Sequence, residues 1–396
     1  MSLQETPKAN RLHIAFFGRT NSGKSSLVNA ISGQQAALVS SVPGTTTDPV
    51  YRNMEIHPIG PCVLIDTAGF GDESSLGEKR MEQTQKVADQ ADVAVMLFSG
   101  ESMDLELKWM EKLREKKVPV IPVISKSDTG LELESLTKRI HKEVGEAPLV
   151  VSAVKKENID ALKDRIAQCC PDFFEIDRIT SHLVSPQDVV LLVMPQDIQA
   201  PKGRLILPQV QTIRDLLDQK CICICSTADQ MDRALEALKH PPKLIITDSQ
   251  VFGLVYEKKP KESLLTSFSI LFARYKGDLE AFVQGAAAID ALTGSSRVLI
   301  AEACTHNALD EDIGRVKIPN LLRKKVGKDL KVDVVSGADF PEDLTPYQLI
   351  IHCGGCMFNR KHILSRVERA KGQQVPITNY GVAIAKLTGI LDKIDC

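Results

Sequence analysis

The sequence lacks a long apolar run, a marked excess of charge and any internal repeat. No apolar run reaches about 18 residues, and the N-terminus is not a basic stretch followed by an apolar one. We therefore expect neither a membrane span nor a secretion signal. The formal net charge is -2, which does not predict a surface for nucleic acid. We expect a cytoplasmic protein whose 10 cysteines are reduced thiols, metal ligands or core residues.

The chain of 396 residues is long enough for two or three domains. Short apolar runs alternate with amphipathic helical patterns, which predicts an α/β fold with mainly parallel sheets. Polar stretches indicate a first domain at 11–171, two smaller α/β domains at 182–258 and 264–396, and a disordered tail at 1–10. The middle domain has no phosphate loop or catalytic cluster, which favours a role in dimerisation or packing. In the last domain we predict a strand at Ile270–Ala273.

A phosphate-binding loop follows the first apolar strand. Residues 18–25 (GRTNSGKS) fit the pattern G-x-x-x-x-G-K-[ST] between a strand and a helical run. The glycines let backbone N–H groups turn toward phosphates, and the helix N-terminus adds positive potential. Lys24 would reach the β- and γ-phosphates, and the Ser25 hydroxyl would bind Mg²⁺. After the next strand, Asp66 can hold Mg²⁺ through water, and the Gly69 N–H can sense the γ-phosphate.

Two later segments predict recognition of guanine. Residues 125–128 (SKSD) end a strand and are similar to the guanine-reading pattern N-K-x-D, with Ser125 in place of asparagine. Asp128 would accept hydrogen bonds from N1 and the 2-amino group of guanine, which adenine does not offer. Residues 152–153 follow the last strand of this domain and match a Ser-Ala loop that also contacts guanine. The first domain is therefore predicted to bind GTP.

The motifs resemble those of the small Ras-like GTPases in order and position. More narrowly, residues 18–25 and 43–48 (PGTTTD) resemble the Era/TrmE branch. The resemblance implies a Ras-like P-loop GTPase domain in which Thr46 closes on Mg²⁺ and Asn21 helps to coordinate K⁺. Phe70 stands where Ras-like proteins have a water-orienting glutamine, and a phenyl ring cannot orient water by hydrogen bonds. This implies slow hydrolysis that K⁺ or a partner stimulates.

The predicted GTP site combines catalytic, metal-binding and base-binding residues. Lys24, Thr46 and Gly69 are the predicted catalytic residues. Ser25 and Thr46 would bind Mg²⁺, and Asn21 would bind K⁺. The predicted nucleotide-binding residues are Gly18, Asn21, Ser22, Gly23, Lys24, Ser25, Ser26, Thr46, Asp66, Gly69, Lys126, Asp128, Ser152 and Ala153.

Two clusters of metal-ligand residues lie near the C-terminus, C-x-H at 304–306 and H-C-x-x-C at 352–356. Each follows a predicted strand, so both emerge at one carboxyl edge if the strands are parallel in one sheet. The glycines at 354–355 permit a tight turn whose N–H groups can bond sulfur. Cysteines with histidine suit zinc, whereas three cysteines with one replaceable ligand suit a 4Fe–4S cluster. The motif alone leaves both metals open.

Past the first ten residues, the whole chain resembles the HydF family, the GTPases that mature iron-only hydrogenase. That family joins an Era/TrmE-like GTPase domain, a dimerisation domain and a cluster domain with the pattern C-x-H…H-C-x-x-C. The resemblance implies that Cys304, Cys353 and Cys356 bind a 4Fe–4S cluster, with His306, His352 or an exchangeable group as the fourth ligand. It further implies a homodimeric scaffold that receives a diiron precursor from radical-SAM maturases and delivers it to apo-hydrogenase.

Two hypotheses concern how such a scaffold would operate. Arg360 and Lys361 could donate hydrogen bonds to cyanide ligands of the diiron unit. The nucleotide state could change switch I at about 33–48 and switch II at about 69–84, and with them the contacts to other domains and to partners.

Two alternatives remain at this point. The first is a regulatory GTPase of RNA modification or ribosome assembly with a zinc-stabilised C-terminal domain, which fits the phosphate loop equally well. The second is an iron–sulfur assembly scaffold that uses GTP only for stability.

Overall fold

The computed structural model describes residues 11–33, 48–57, 59–71, 77–100, 102–130, 132–170, 178–195, 205–302, 313–337, 339–355 and 358–395. The chain divides into two units, Met1–Ile176 and Asp177–Cys396. The predicted tail at 1–10 lies outside the described residues. None of the helices in the described part has the length and apolarity needed to cross a bilayer.

The first unit is built on a six-stranded sheet. Its strands are β1 (Leu12–Gly18), β2 (Val50–Ile56), β3 (Gly60–Asp66), β4 (Val93–Phe98), β5 (Val120–Ile124) and β6 (Leu149–Val150). Its helices are α1 (Lys24–Ser32), α2 (Gly77–Ala88), α3 (Asp104–Glu115), α4 (Leu133–Val144) and α5 (Ile159–Gln168). The order is β2-β3-β1-β4-β5-β6, with β2 antiparallel to β3 and the other pairs parallel. Alternate residues of β1 enter two different apolar clusters, as expected for a strand covered on both faces.

The second unit contains two four-stranded parallel sheets. The first has the order β10-β9-β7-β8, with β7 (Val189–Val193), β8 (Ile222–Ser226), β9 (Leu244–Thr247) and β10 (Leu264–Ser267). The second has the order β12-β11-β13-β14, with β11 (Arg297–Ala301), β12 (Lys331–Val335), β13 (Leu349–His352) and β14 (Ile377–Asn379). The helices are α6 (Leu207–Asp218), α7 (Met231–Glu236), α8 (Phe252–Lys258), α9 (Phe268–Lys276), α10 (Leu279–Ala286), α11 (Ile318–Val326), α12 (Arg360–Gly372) and α13 (Tyr380–Leu387).

The strand predicted at Ile270–Ala273 is wrong, because these residues lie in helix α9. The side chain of Ser267 accepts a hydrogen bond from the Ile270 N–H and so caps the helix. Leu271 belongs to the core of the first sheet of this unit, whereas Ile270 and Ala273 belong to the core of the second. A helix buried on several sides has the continuous apolar run that is also typical of a buried strand. Strand β10 precedes this helix and pairs with β9. The first sheet therefore extends beyond the range 182–258 that was predicted for the middle domain.

Candidate functional site

The phosphate loop connects β1 to α1, as its motif predicts. Gly23 precedes the helix with φ of 91°, a left-handed conformation that glycine adopts without strain. The Lys24 ammonium lies across the loop and donates to the carbonyl oxygens of Gly18 at 3.0 Å and Arg19 at 2.8 Å. Burial lowers the pKa of Lys24 to about 8, while Asp66 raises it in part. The loop therefore holds its cation above backbone groups that a phosphate can approach.

Two predicted Mg²⁺ residues meet beside this loop. The Ser25 hydroxyl donates to Asp66 Oδ2 at 2.6 Å. Asp66 is buried, which raises the pKa of its carboxyl, and its Oδ1 has no hydrogen-bond partner among the described residues. Mg²⁺ prefers such oxygen ligands and keeps several waters. The hydroxyl and the carboxylate therefore fit a magnesium ion.

The turn after β3 is tied directly to the phosphate loop. Thr20 N–H donates to the Phe70 carbonyl at 3.1 Å, and Phe70 N–H donates to the Gly18 carbonyl at 3.3 Å. A Cβ at Gly69 would lie 2.4 Å from Thr20 Cα, so only glycine fits this approach. The turn and the loop are therefore coupled through their backbones.

Phe70 packs in the core and does not face the phosphate loop. Its ring is buried and stacks on Trp109 with centroids 5.8 Å apart, and Phe17 stacks on the same indole. This packing explains an aromatic residue at the position, and the buried ring has no polar group that could orient water. The sequence did not indicate a second support, the Glu106 carboxylate. It is buried and accepts from Arg19 Nε at 2.9 Å, which fixes the loop to α3.

The predicted guanine-binding residues form a connected group. Ser152 Oγ donates to Asp128 Oδ1 at 2.7 Å, and this hydrogen bond lowers the pKa of Asp128. Ser125 Oγ donates to the Ser22 carbonyl at 2.6 Å. The serine that replaces asparagine thus joins the end of β5 to the phosphate loop. Asp128 is left as an ionised acceptor for the N–H groups of a purine.

The remaining predicted nucleotide residues are distributed as follows. Asn21 lies exposed at the tip of the phosphate loop with φ of 63°, which asparagine tolerates. Ser26 is half-buried in the first turn of α1, and Lys126 and Ala153 are half-buried after β5 and β6. Thr46 and most of switch I lie outside the described residues. The role of Asn21 toward K⁺ stays a prediction.

The metal-ligand candidates lie at the carboxyl edge of the last sheet. β11 and β13 are adjacent and parallel, with Ala301 opposite His352, as the sequence predicts. Cys353 N–H donates to the Ala301 carbonyl at 2.9 Å, so Cys353 lies beside the end of the strand that leads to Cys304. The candidates Cys304, His306 and Cys356 lie outside the described residues. Within the described ranges, no group of three His, Cys, Asp or Glu residues is placed to hold a metal.

The turn after Cys353 provides a hydrogen bond to sulfur. Gly355 N–H donates to Cys353 Sγ at 3.4 Å, as the paired glycines predict. Gly355 has φ of 60°, and a Cβ there would lie 2.3 Å from Ile363 Cδ1. A half-buried cysteine with an N–H···S bond beside a strand end fits a thiolate ligand of a metal group.

His352 has both ring nitrogens occupied. Arg366 Nη1 lies 3.0 Å from His352 Nε2, and because a guanidinium only donates, Nε2 must accept. The proton therefore sits on Nδ1, which donates to the Cys353 carbonyl at 2.6 Å. Burial, and then Arg366, lowers the pKa of His352 to about 3. Ligation of iron by His352 would require one of these hydrogen bonds to break.

Two basic residues near this turn were not indicated by the sequence. Arg366 and Lys276 are 3% and 2% exposed, and Lys276 Nζ donates to the Phe358 carbonyl at 3.0 Å. Arg366 lies in a helix rich in charged residues, and Lys276 ends an apolar helix, so neither position is marked by a sequence signal. Arg360 donates from Nη1 to the Tyr275 carbonyl at 2.8 Å, and its role as a donor to cyanide stays a prediction. The side-chain role of Lys361 stays untested.

Three family models match consecutive parts of the chain. Residues 280–394 match the hydrogen maturase F tetramerization domain, and residues 179–277 match the hydrogen maturase F dimerization domain. Together these two models cover more than half of the chain. Residues 13–126 match the 50S ribosome-binding GTPase model.

Curated relatives match the GTPase domain. GTPase Der of Wolinella succinogenes is 35% identical over 182 residues, which is 43% of this chain and 38% of the relative. tRNA modification GTPase MnmE of Clostridioides difficile is 33% identical over 159 residues, which is 39% of this chain and 34% of the relative. The chain thus spans little more than a third of the length of these relatives.

Among solved structures, Era of Aquifex aeolicus bound to GDP and AlF4⁻ matches with a TM-score of 0.37 and 19% identity, over 57% of this chain and 98% of that one. The chain's own motifs and the three domain models give the identification. The chain belongs to the hydrogen maturase F (HydF) family, with a GTPase domain followed by that family's dimerisation and tetramerisation domains.

Proposed function

We propose that this protein is a cytoplasmic GTPase scaffold in the maturation of iron-only hydrogenase. It binds a 4Fe–4S cluster, receives a diiron precursor from radical-SAM maturases and delivers the precursor to apo-hydrogenase. The observation that carries the proposal is the position of Cys353 within the family's tetramerisation domain. Its backbone N–H is bonded to the end of β11, so the two cysteine segments start from neighbouring strands.

The GTPase domain supplies the groups that hydrolysis requires. Lys24 is positioned to offset charge on the β- and γ-phosphates, and Ser25 with Asp66 and Thr46 would hold Mg²⁺ against them. The Gly69 N–H would donate to the γ-phosphate. Because Phe70 is packed in the core, it does not orient water, and we propose slow hydrolysis that K⁺ stimulates through Asn21.

Cys304, Cys353 and Cys356 would hold the cluster, and the cluster would supply an iron with an exchangeable ligand for the precursor. With both nitrogens of His352 occupied, His306 or an exogenous group is the better candidate for the fourth position. Dimerisation and tetramerisation through the family's domains would bring several such sites into one assembly.

Metal content of anaerobically purified and reconstituted protein tests the cluster. About four irons per chain and a 4Fe–4S EPR signal after reduction are expected. Cys353→Ser should lose the signal. Cys225→Ser is the matched control, because this thiol is exposed on β8, and it should keep the signal. Stoichiometric zinc without iron would contradict the proposal and favour a zinc-stabilised regulatory GTPase.

GTP turnover measured in K⁺ and in Na⁺ tests the hydrolysis. Faster turnover in K⁺ is expected, and Asn21→Ala should remove the difference between the two cations. A separate binding assay tests whether the nucleotide state changes the affinity for a radical-SAM maturase. Equal affinity of the maturase for the GTP-analogue and GDP states would argue against this coupling.

A further inference from the structure

Arg366 joins the two strand ends that flank β11. It extends from helix α12, where its Nη1 donates to His352 Nε2 at 3.0 Å and its Nη2 donates to the Gly337 carbonyl at 2.6 Å. His352 ends β13, and Gly337 follows β12. The guanidinium also lies over the rings of Phe340 and Phe358, at 4.9 and 5.2 Å from their centroids. One side chain thus connects the ends of β12 and β13 at the carboxyl edge of the sheet, where Cys353 follows β13.

His352 connects Arg366 to Cys353 through its two ring nitrogens. Its Nε2 accepts from Arg366, so its Nδ1 donates to the Cys353 carbonyl at 2.6 Å. Because an arginine cannot act as an acceptor, the tautomer of His352 is fixed by Arg366. The orientation of the Cys353 peptide, and with it the direction of the thiol, therefore depends on a residue outside the cysteine motif.

Lys276 makes the corresponding contact on the far side of the motif. It comes from helix α9, and its Nζ donates to the Phe358 carbonyl at 3.0 Å. Phe358 lies two residues after Cys356 in the sequence. Two buried cations from two different helices therefore bind the chain just before and just after the cysteine pair.

The charge of these cations suits an anionic group. A 4Fe–4S cluster held by thiolates carries net negative charge, and one-electron reduction adds another. A positive charge in a poorly solvated site stabilises the more negative form more strongly. Net charge and hydrogen bonds around a cluster set its reduction potential. Buried cations at this turn are therefore expected to favour the reduced cluster.

We propose that Arg366 and Lys276 are positioning residues of the cluster, which orient the turn bearing Cys353 and raise the reduction potential of the bound cluster. This inference rests on the proposed cluster binding. It assigns to His352 the role of a hydrogen-bonding link rather than that of an iron ligand.

The test uses the full chain with its cluster and compares Arg366→Met, Arg366→Lys and Lys276→Met with the wild type. Arg369→Met is the matched control, because Arg369 lies on the same helix and over the same Phe340 ring at 5.7 Å. The readouts are iron per chain, the midpoint potential from an EPR-monitored titration, and the melting temperature of the metal-free protein.

Both methionine variants should shift the midpoint to more negative potential, by about tenfold in the reduction equilibrium constant or ~59 mV for one electron. Arg366→Lys keeps the charge, so its potential should stay near that of the wild type. It lacks the planar fork that reaches two strand ends, so it should lose iron faster on exposure to a chelator. Arg369→Met should change neither quantity.

Potentials of Lys276→Met and Arg366→Met equal to that of Arg369→Met would overturn the inference while cluster binding stands. A wild type that takes up no iron would overturn the proposed function and this inference with it. If Arg366→Met does not fold, as judged by its melting transition, Lys276→Met and Arg366→Lys decide the question.

Discussion

The GTP site and the turn that carries Cys353 are both built at the carboxyl ends of parallel strands, but they are supported differently. In the GTP site, motif residues bind one another, since Ser25 donates to Asp66 and Ser152 donates to Asp128. Glu106 adds one support from outside the motifs. At the cysteine turn, the support comes from Arg366, which lies outside the motif on a separate helix.

This difference determines what a sequence can reveal. A motif whose members contact each other contains its own support, so recognising it predicts the geometry as well. A short ligand motif identifies the ligands but not the groups that orient them. Variants that remove one support at a time measure how far this contrast holds.

Phe70→Gln should give the largest effect on the GTP side. The amide would replace a buried ring that stacks on Trp109, so the free energy of unfolding of the first unit should fall by about 3 kcal/mol. GTP turnover per folded molecule should not rise, because the side chain points into the core. The chain has 1 tryptophan, so indole fluorescence in a urea titration reports this unit.

The control for that variant is Phe70→Leu, which keeps an apolar side chain and should cost about 1 kcal/mol. Faster hydrolysis by Phe70→Gln without loss of stability would show that residue 70 faces the nucleotide instead.

Gly69→Ala tests the backbone contact between the turn after β3 and the phosphate loop. The new Cβ would lie 2.4 Å from Thr20 Cα, and the two segments must separate at a cost of about 2 kcal/mol. Affinity for a fluorescent GTP analogue should fall by roughly 30-fold. Gly100→Ala, whose Cβ would meet nothing within 4 Å, should bind normally. Equal binding by both variants would mean that the contact is not part of the nucleotide site.

Much of the fold follows from the sequence because most strands are buried and alternate with helical patterns. β2 was not predicted, since it pairs antiparallel at the edge of its sheet and is largely exposed. Helix α9 was misread as a strand because it packs against two cores. Both failures arise from tertiary packing, which local periodicity does not contain.

The GTP site was predicted more completely than the cysteine turn. The Ser25–Asp66 contact follows from two motifs at the ends of neighbouring parallel strands. Ser125 is an intermediate case, because the sequence shows only that it replaces an asparagine, whereas the structure shows that its hydroxyl bonds the phosphate loop. Arg366 could not be predicted, since a buried arginine in a helix has the same sequence pattern as an exposed one.

Ser125→Ala measures that intermediate case. It leaves the Ser22 carbonyl without the hydroxyl donor at 2.6 Å, which should cost about 1 kcal/mol and weaken GTP binding by roughly fivefold. Ser127→Ala is the matched control, because Ser127 Oγ has no hydrogen-bond partner among the described residues. Calorimetric titration with GTP would compare the two, and equal affinities would show that the tie between the loops contributes nothing to binding.

The smallest effect is expected at Asp290, a support of the second unit that is exposed. Its carboxylate accepts from Lys325 and from Lys386, the latter at 2.7 Å, and these hydrogen bonds lower its pKa to about 2. The pKa of an aspartate in the unfolded chain is about 3.9. The stabilisation is therefore present above that pH and is lost as the pH falls toward 2.

Asp290→Asn should therefore lose less stability than the wild type between pH 4 and pH 2, in acid unfolding followed by circular dichroism. Added salt should reduce this difference in stability between the wild type and Asp290→Asn, since exposed ion pairs are screened. If the difference stays unchanged in high salt, the contacts of Asp290 matter more than its exposure to solvent. Asp290 and Arg366 both join elements distant in sequence, but only Arg366 is buried. A larger loss of stability in metal-free Arg366→Met than in Asp290→Asn would show that burial, rather than the number of hydrogen bonds, decides how much such a contact contributes.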